Sequence, residues 1–169
     1  METLWQKIWK VVQADFADLP DVAAVTQLVL RMLLATLLGS LLGYQRERLG
    51  KEAGIRTHML VALGSTFFVL IPLQAGMPLA DISRVLQGLI SGIGFLVAGA
   101  ILKQQDPQQI YGLTTAAGLW MTASVGVAVG LGRESAAILG TALAFIILCL
   151  FHVRTPTDAP EAPREDDMT

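Results

Sequence analysis

The chain has 169 residues, of which 53% are hydrophobic and only 15% charged, with a mean hydropathy of +0.57 and a formal net charge of −2. That balance excludes an ordinary soluble domain, in which about a quarter of residues are charged. The absence of a basic surface interleaved with aromatics excludes nucleic-acid binding. The single cysteine, Cys149, excludes an intrachain disulfide and a cysteine-based metal site.

In chain order, residues 1–20 lack the basic segment and uninterrupted apolar run of a signal peptide, so this stretch is expected to stay on the mature protein. Wound as a helix it sets Trp5, Trp9, Val12 and Phe16 on one stripe, with Gln6, Lys10 and Gln13 opposite. Such a helix lies in the membrane interface with its indoles at headgroup depth, or packs on the bundle. Pro20 and Asp21 end it.

Five apolar runs follow, over 22–43, 57–75, 85–102, 112–131 and 135–152. Each approaches the roughly 17–25 residues that cross a hydrocarbon core as a helix. The expected fold class is an all-α membrane protein: a compact bundle of five transmembrane helices over 21–153, preceded by the amphipathic helix. The remainder, 154–169, has three prolines and an acidic excess, and is expected to be a disordered tail.

Orientation follows from the short connections. One side holds Arg46, Arg48, Lys51, Arg56, Lys103, Arg154 and Arg164, the other Lys7, Lys10, Arg84 and Arg133. The lysine and arginine bias places the first group in the cytoplasm and the N-terminus in the periplasm.

In lipid, helices associate by close backbone approach through small residues. The runs supply Ala35, Gly39 and Gly43; Gly88 and Gly92; Gly118, Thr122, Gly126 and Gly130; and Ala136, Gly140 and Ala144, at helical spacing. These glycines are expected at helix–helix contacts. The Gly-rich "SGIGFLVAGA" is no phosphate loop, because it lies inside an apolar run without a following Lys-Ser/Thr.

Arg31 stands ten residues into the first run, which predicts a charge near the bilayer midplane, where insertion costs about 2.5–3.5 kcal/mol. No Asp or Glu lies inside a span, so its expected partners are carbonyls, Gln27, Gln87, hydroxyls such as Thr66, Ser91, Thr115, Thr122 and Ser124, water or an anion. It is either structural or the centre of a ligand or gating site. The only histidines, His58 and His152, sit at span ends, and no hydroxyl has an acid or base beside it in sequence. No enzyme, metal site or cofactor is therefore expected. Between the first two spans the charged stretch Tyr44–Arg56 reads as a loop, with Thr57 placed to cap the second helix. Its arginines hold topology, lipid phosphates or an anionic ligand.

Three blocks carry a resemblance: "RMLLATLLGSLLGYQRERLGKEAGIRTHMLVALGSTFF" from Arg31, "RVLQGLISGIGFLVAGAIL" from Arg84 and "GLTTAAGLWMTASVGVAVGLG" from Gly112. Together and in this order they resemble the MgtC/SapB family. The resemblance implies a multi-pass bacterial inner-membrane protein tied to growth at limiting magnesium and, in some pathogens, to survival inside host cells. It marks Arg31, Arg46, Glu47, Gly54, Arg56, Thr57, His58, Gly92, Gly94, Gly112, Thr114 and Thr115 as positions on the family pattern. Two positions depart from it. Gln45 stands where the family often has an acidic residue, which argues against a carboxylate cluster there. Val97 replaces a usual glycine, which predicts wider packing in the third span. Many members continue into a soluble domain, whereas this sequence ends in a short acidic tail. The expected function is non-enzymatic modulation of ion homeostasis through the bilayer, with another inner-membrane protein or a second copy as partner. The alternative is a transporter or channel centred on Arg31.

Overall fold

The computed structural model describes residues 3–15, 21–102 and 112–150. These form six helices and, among the described residues, no strand: α1 Leu4–Asp15, α2 Val22–Arg48, α3 Ile55–Gln74, α4 Leu79–Leu102, α5 Leu113–Gly130 and α6 Glu134–Leu150. Helices α2 to α5 are each long and apolar enough to cross a membrane. The fifth apolar run is α6, whose 17 described residues reach about 26 Å at 1.5 Å per residue, just short of a core about 30 Å thick. The all-helical class stands, with four membrane-length helices where the sequence predicts five.

The boundaries differ most at the charged stretch. Helix α2 runs 27 residues and carries Tyr44 to Arg48 as its last turn, so the loop shrinks to Leu49–Gly54. Gln, Arg and Glu are good helix formers, and the Arg48 guanidinium stacks 4.8 Å from the Tyr44 ring centre, one turn earlier. Gly50, with φ of 63°, supplies the left-handed residue that reverses the chain after the helix. Helix α3 then starts at Ile55 with Gly54 at its N-cap, so Thr57 lies within the helix and does not cap it. Helix α4 begins at Leu79, six residues before the predicted span. Asp81 in its first turn faces the positive end of the helix dipole, which favours an early start.

Helix α5 is the centre of the bundle. It buries ten of its residues, against six each in α2 and α3 and two in α6. Its small residues allow this, because a stripe of Gly, Ala and Thr lets neighbours approach on several sides at once. The core is Ala35, Leu38, Ala62, Val125, Val129 and Ala137, drawn from α2, α3, α5 and α6. In α4, Ile82 is the one buried side chain among those described. The described part of α1 is exposed throughout, with Trp5 and Trp9 open, and it packs against no other described element.

Glycine contacts set the register. A Cβ on Gly39 would lie 2.7 Å from the His58 carbonyl oxygen, and one on Gly43 would lie 2.6 Å from the Ile55 Cα. A Cβ on Gly126 would collide with the Ala62 carbonyl oxygen, and one on Gly130 would lie 2.9 Å from the Val69 Cβ. Residues 39, 62 and 126 therefore share one level, with α3 and α5 parallel and α2 antiparallel to both. Gly118 faces the His58 ring at ordinary contact distance, and Gly140 faces the Met121 methyl. Gly88 and Gly92 differ: a Cβ on either meets nothing within 4 Å, so they are not packing positions within the described bundle.

This register moves Arg31 away from the middle. It lies eight residues from Gly39, about 12 Å along α2, and its guanidinium packs against Gly132 in the turn between α5 and α6. The span is longer than its neighbours, so position within it misjudges depth within the bundle. We call this the distal end, and the end with the Leu49–Gly54 turn the proximal end.

Candidate functional site

Polar side chains gather at the proximal end, between α2, α3 and α5. The stripe Ala35, Leu38, Gly39, Leu42, Gly43 and Arg46 faces inward on α2, so helical spacing carries Arg46 onto the buried face as the last member of an apolar row. Its Nη2 donates to the Thr115 Oγ1 at 2.6 Å, while its buried Nε has no partner. The residue is 5% exposed. Its neighbour Glu47 points the other way and accepts from the Ile55 backbone N–H at 2.8 Å, which caps the first turn of α3. Replacing Glu47 with Ala is expected to cost about 1 kcal/mol. The readout is amide exchange at the start of α3, faster by about five-fold at that cost; unchanged exchange there would remove this role.

His58 is fully buried where Gly39, Gly43 and Gly118 leave room for the ring. Its Nδ1 lies 2.7 Å from the Thr122 Oγ1. The Thr122 hydroxyl also lies 2.9 Å from the Gly118 carbonyl, so the direction of the bond to His58 follows the imidazole tautomer, and the buried Nε2 has no hydrogen-bond partner among the described residues. About two turns further along α3, the Thr66 hydroxyl is shared between the Ala62 and Gly126 carbonyls, both at 2.9 Å, and so ties α3 to α5. Thr115, Thr122 and Thr66 thus serve Arg46, His58 and the backbone rather than Arg31. Gln45 donates from Nε2 to the Leu148 carbonyl of α6 at 2.9 Å. A carboxylate has no proton for that bond, which gives Gln a physical reason at this position.

At the distal end Arg31 pairs with Glu134, Nε to Oε1 3.1 Å, with side chains 19% and 42% exposed. The sequence predicts no carboxylate partner for Arg31. Glu134 supplies one because α6 begins at that residue, level with Arg31. An open hollow beside the pair is lined by Val22, Thr26, Gln27, Leu30 and Leu34 of α2. Arg56 and Thr114 are exposed and Thr57 half-exposed, outside the buried cluster. Thr114 lines a groove between α2, α5 and α6. Among the described residues no group of three or more His, Cys, Asp and Glu is placed to hold a metal ion. His152, the Lys103–Tyr111 connection and the acidic tail lie outside the described residues.

The sequence profile of the MgtC family matches residues 32–155, which span the core, the buried cluster and the Gln45–Glu47 segment. This chain belongs to the MgtC family. Among its relatives, Protein SrpB of Synechococcus elongatus is 40% identical over 72% of this chain and 72% of its own length. YhiD of Escherichia coli strain K12, named provisionally as a magnesium transporter, is 35% identical over 76% of this chain and 62% of its own. Protein MgtC of Salmonella typhimurium is 40% identical over 72% of this chain, but the match covers only 49% of that protein. No solved structure matches. The chain is a multi-pass membrane protein of this family.

The MgtC-family blocks and the buried cluster overlap in Arg46, His58 and Thr115, brought together by three helices. Sequence reasoning missed Thr122 and Glu134 as the partners of His58 and Arg31. The signal for Thr122 was present, since it occupies a small-residue row otherwise made of glycines. Glu134 carried no comparable signal, because only the level of the α5–α6 turn brings it to Arg31.

Proposed function

We propose that this protein acts in magnesium homeostasis in the bacterial inner membrane, without catalysis, by docking α4 against a transmembrane helix of another membrane protein. The observation that carries the reading is the state of α4. Its Gly88 and Gly92 carry the same spacing as the glycines packed inside the bundle, yet they line an open groove of about 480 Å³ between α3 and α4. Leu60, Phe68 and Leu89 make that groove apolar, Gly64 leaves it open on the α3 side, and Arg84 stands in its wall. A partner helix with small residues at the contact and a carboxylate opposite Arg84 fits this surface. The provisional naming of YhiD supports the link to magnesium. The seating of His58 supports a non-enzymatic role, since the imidazole is fully buried and its Nδ1 is held on Thr122.

With Arg48, Lys51 and Arg56 at the proximal end, that end is cytoplasmic and the N-terminus periplasmic. Exposed Trp5 and Trp9 then suit an α1 lying on the outer interface.

The test is growth at low magnesium of a deletion strain carrying Gly88→Leu with Gly92→Leu. Rescue is expected to fail although the purified variant keeps the thermal midpoint of the parent, since a Cβ at either position meets nothing within 4 Å and the longer side chains extend into the open groove. Full rescue sinks the reading. So does magnesium flux through proteoliposomes holding this chain alone, which would point to transport instead.

A further inference from the structure

Arg46 and the first turn of α5 present an electrostatic problem that the described residues do not solve. The guanidinium is 5% exposed, is held on Thr115 at 2.6 Å and has a buried Nε without a partner. No carboxylate among the described residues is in ion-pair contact with it. A buried cation without a counter-charge is among the more costly arrangements in a protein.

Its neighbour deepens the problem. Thr115 is the third residue of α5, so the guanidinium sits at the positive end of that helix's dipole. The first turn of α5 has no acidic residue, and its N-cap, Gly112, offers no side chain to cap it. Helix α3 shows the usual solution: Glu47, next to Arg46 on α2, caps it with a carboxylate. At α3 a negative group meets the positive helix end, and at α5 a positive group meets it.

We propose that a phosphate-type oxyanion binds at the proximal end, between the Arg46 guanidinium and the N-terminal turn of α5. Guanidinium donors and helix N–H groups are a matched pair of oxyanion binders, planar and charged on one side, dipolar on the other. Thr115 positions the guanidinium for this. The oxyanion comes from an anionic phospholipid headgroup at the membrane surface or from free phosphate in solution. This inference stands apart from the docking of α4, which uses another helix and face.

The test uses the full chain in two arms. In the first, inorganic phosphate is titrated at constant ionic strength and the thermal midpoint is followed, with chloride as control. In the second, the protein is reconstituted with phosphatidylcholine alone or mixed with phosphatidylglycerol, and retained lipid is counted by native mass spectrometry. A saturable rise in midpoint identifies free phosphate, and selective retention of phosphatidylglycerol identifies a headgroup. In either arm Arg46→Gln is expected to weaken binding at least ten-fold. Should that variant fail to fold, Thr115→Val, which keeps the charge but releases the guanidinium from α5, is expected to weaken binding several-fold. Binding in neither arm, or binding unchanged in both variants, overturns the proposal. So does phosphate binding that emerges only in Asp106→Asn, a change in the Lys103–Tyr111 connection outside the described residues, because the counter-charge would then be the chain's own carboxylate.

Discussion

Gly126→Ala is expected to destabilise the bundle by at least about 3 kcal/mol, at or beyond the upper end of what overpacking a core usually costs. The added Cβ collides with the Ala62 carbonyl oxygen and crowds the Ser65 Cβ, 2.8 Å away. The first of these is main chain in the middle of α3, so no rotamer change relieves it, and α3 must move off α5 along its whole length. The same collision breaks the bond that Thr66 makes to the Gly126 carbonyl. The matching control is Gly88→Ala, where the methyl meets nothing within 4 Å and alanine's better helix propensity favours it by up to about 1 kcal/mol. The measurement is the midpoint of reversible SDS denaturation, together with the monodisperse fraction in mild detergent. Equal midpoints for the two variants would show that α3 and α5 are not in the contact described.

His58→Ala is expected to cost about 2–4 kcal/mol, because it empties a fully buried ring site under Gly39, Gly43 and Gly118 and removes the hydrogen bond with Thr122. His58→Asn places an amide group, which can donate or accept, close to the position of Nδ1. It should recover about 1 kcal/mol of that loss, the worth of one hydrogen bond. Thr122→Val removes the same bond from the other side and leaves His58 Nδ1 buried without its partner. The effect of Thr122→Val should largely vanish in a His58→Ala background, as coupling between contacting residues requires. Additive losses in the double variant would separate the two residues.

Both predictions concern the interface of α3 with α5, and both rest on residues whose type was visible in the sequence while their neighbours were not. The glycine rows announced close helix approach. They did not distinguish Gly126, pressed on a carbonyl, from Gly88, which touches nothing. Spacing within a helix fixes which residues share a face, but which helix covers that face depends on partners far away in the chain. The charged stretch after the first span shows the same division. Its composition marked the proximal end and the family pattern, yet Arg46 read as a loop residue. It is instead the last inward position of α2, because the stripe that begins at Ala35 continues through it.

Arg31 shows how the one-dimensional estimate fails. Depth was inferred from position in an apolar run, which assumes that the run is centred in the membrane. Helix α2 has 27 residues while α5 has 18, so its tenth residue falls level with the end of the bundle and not its middle. There the turn into α6 supplies Glu134, and the charge that was expected to need hydroxyls or an anion has an ion-pair partner at 3.1 Å. The counter-charge problem moves to Arg46, at the opposite end.

The membrane class, the helical runs, the family and the residue types at the proximal end were legible in the order of residues, because apolar length and small-residue spacing are properties of single helices. Which glycines bear contacts, which threonines hold Arg46 and His58, and where Arg31 lies emerged with the packing of the helices. Those are matters of relative level between helices. Backbone contacts of a few ångströms between α2, α3 and α5 fix that level, and nothing within any one helix can encode it.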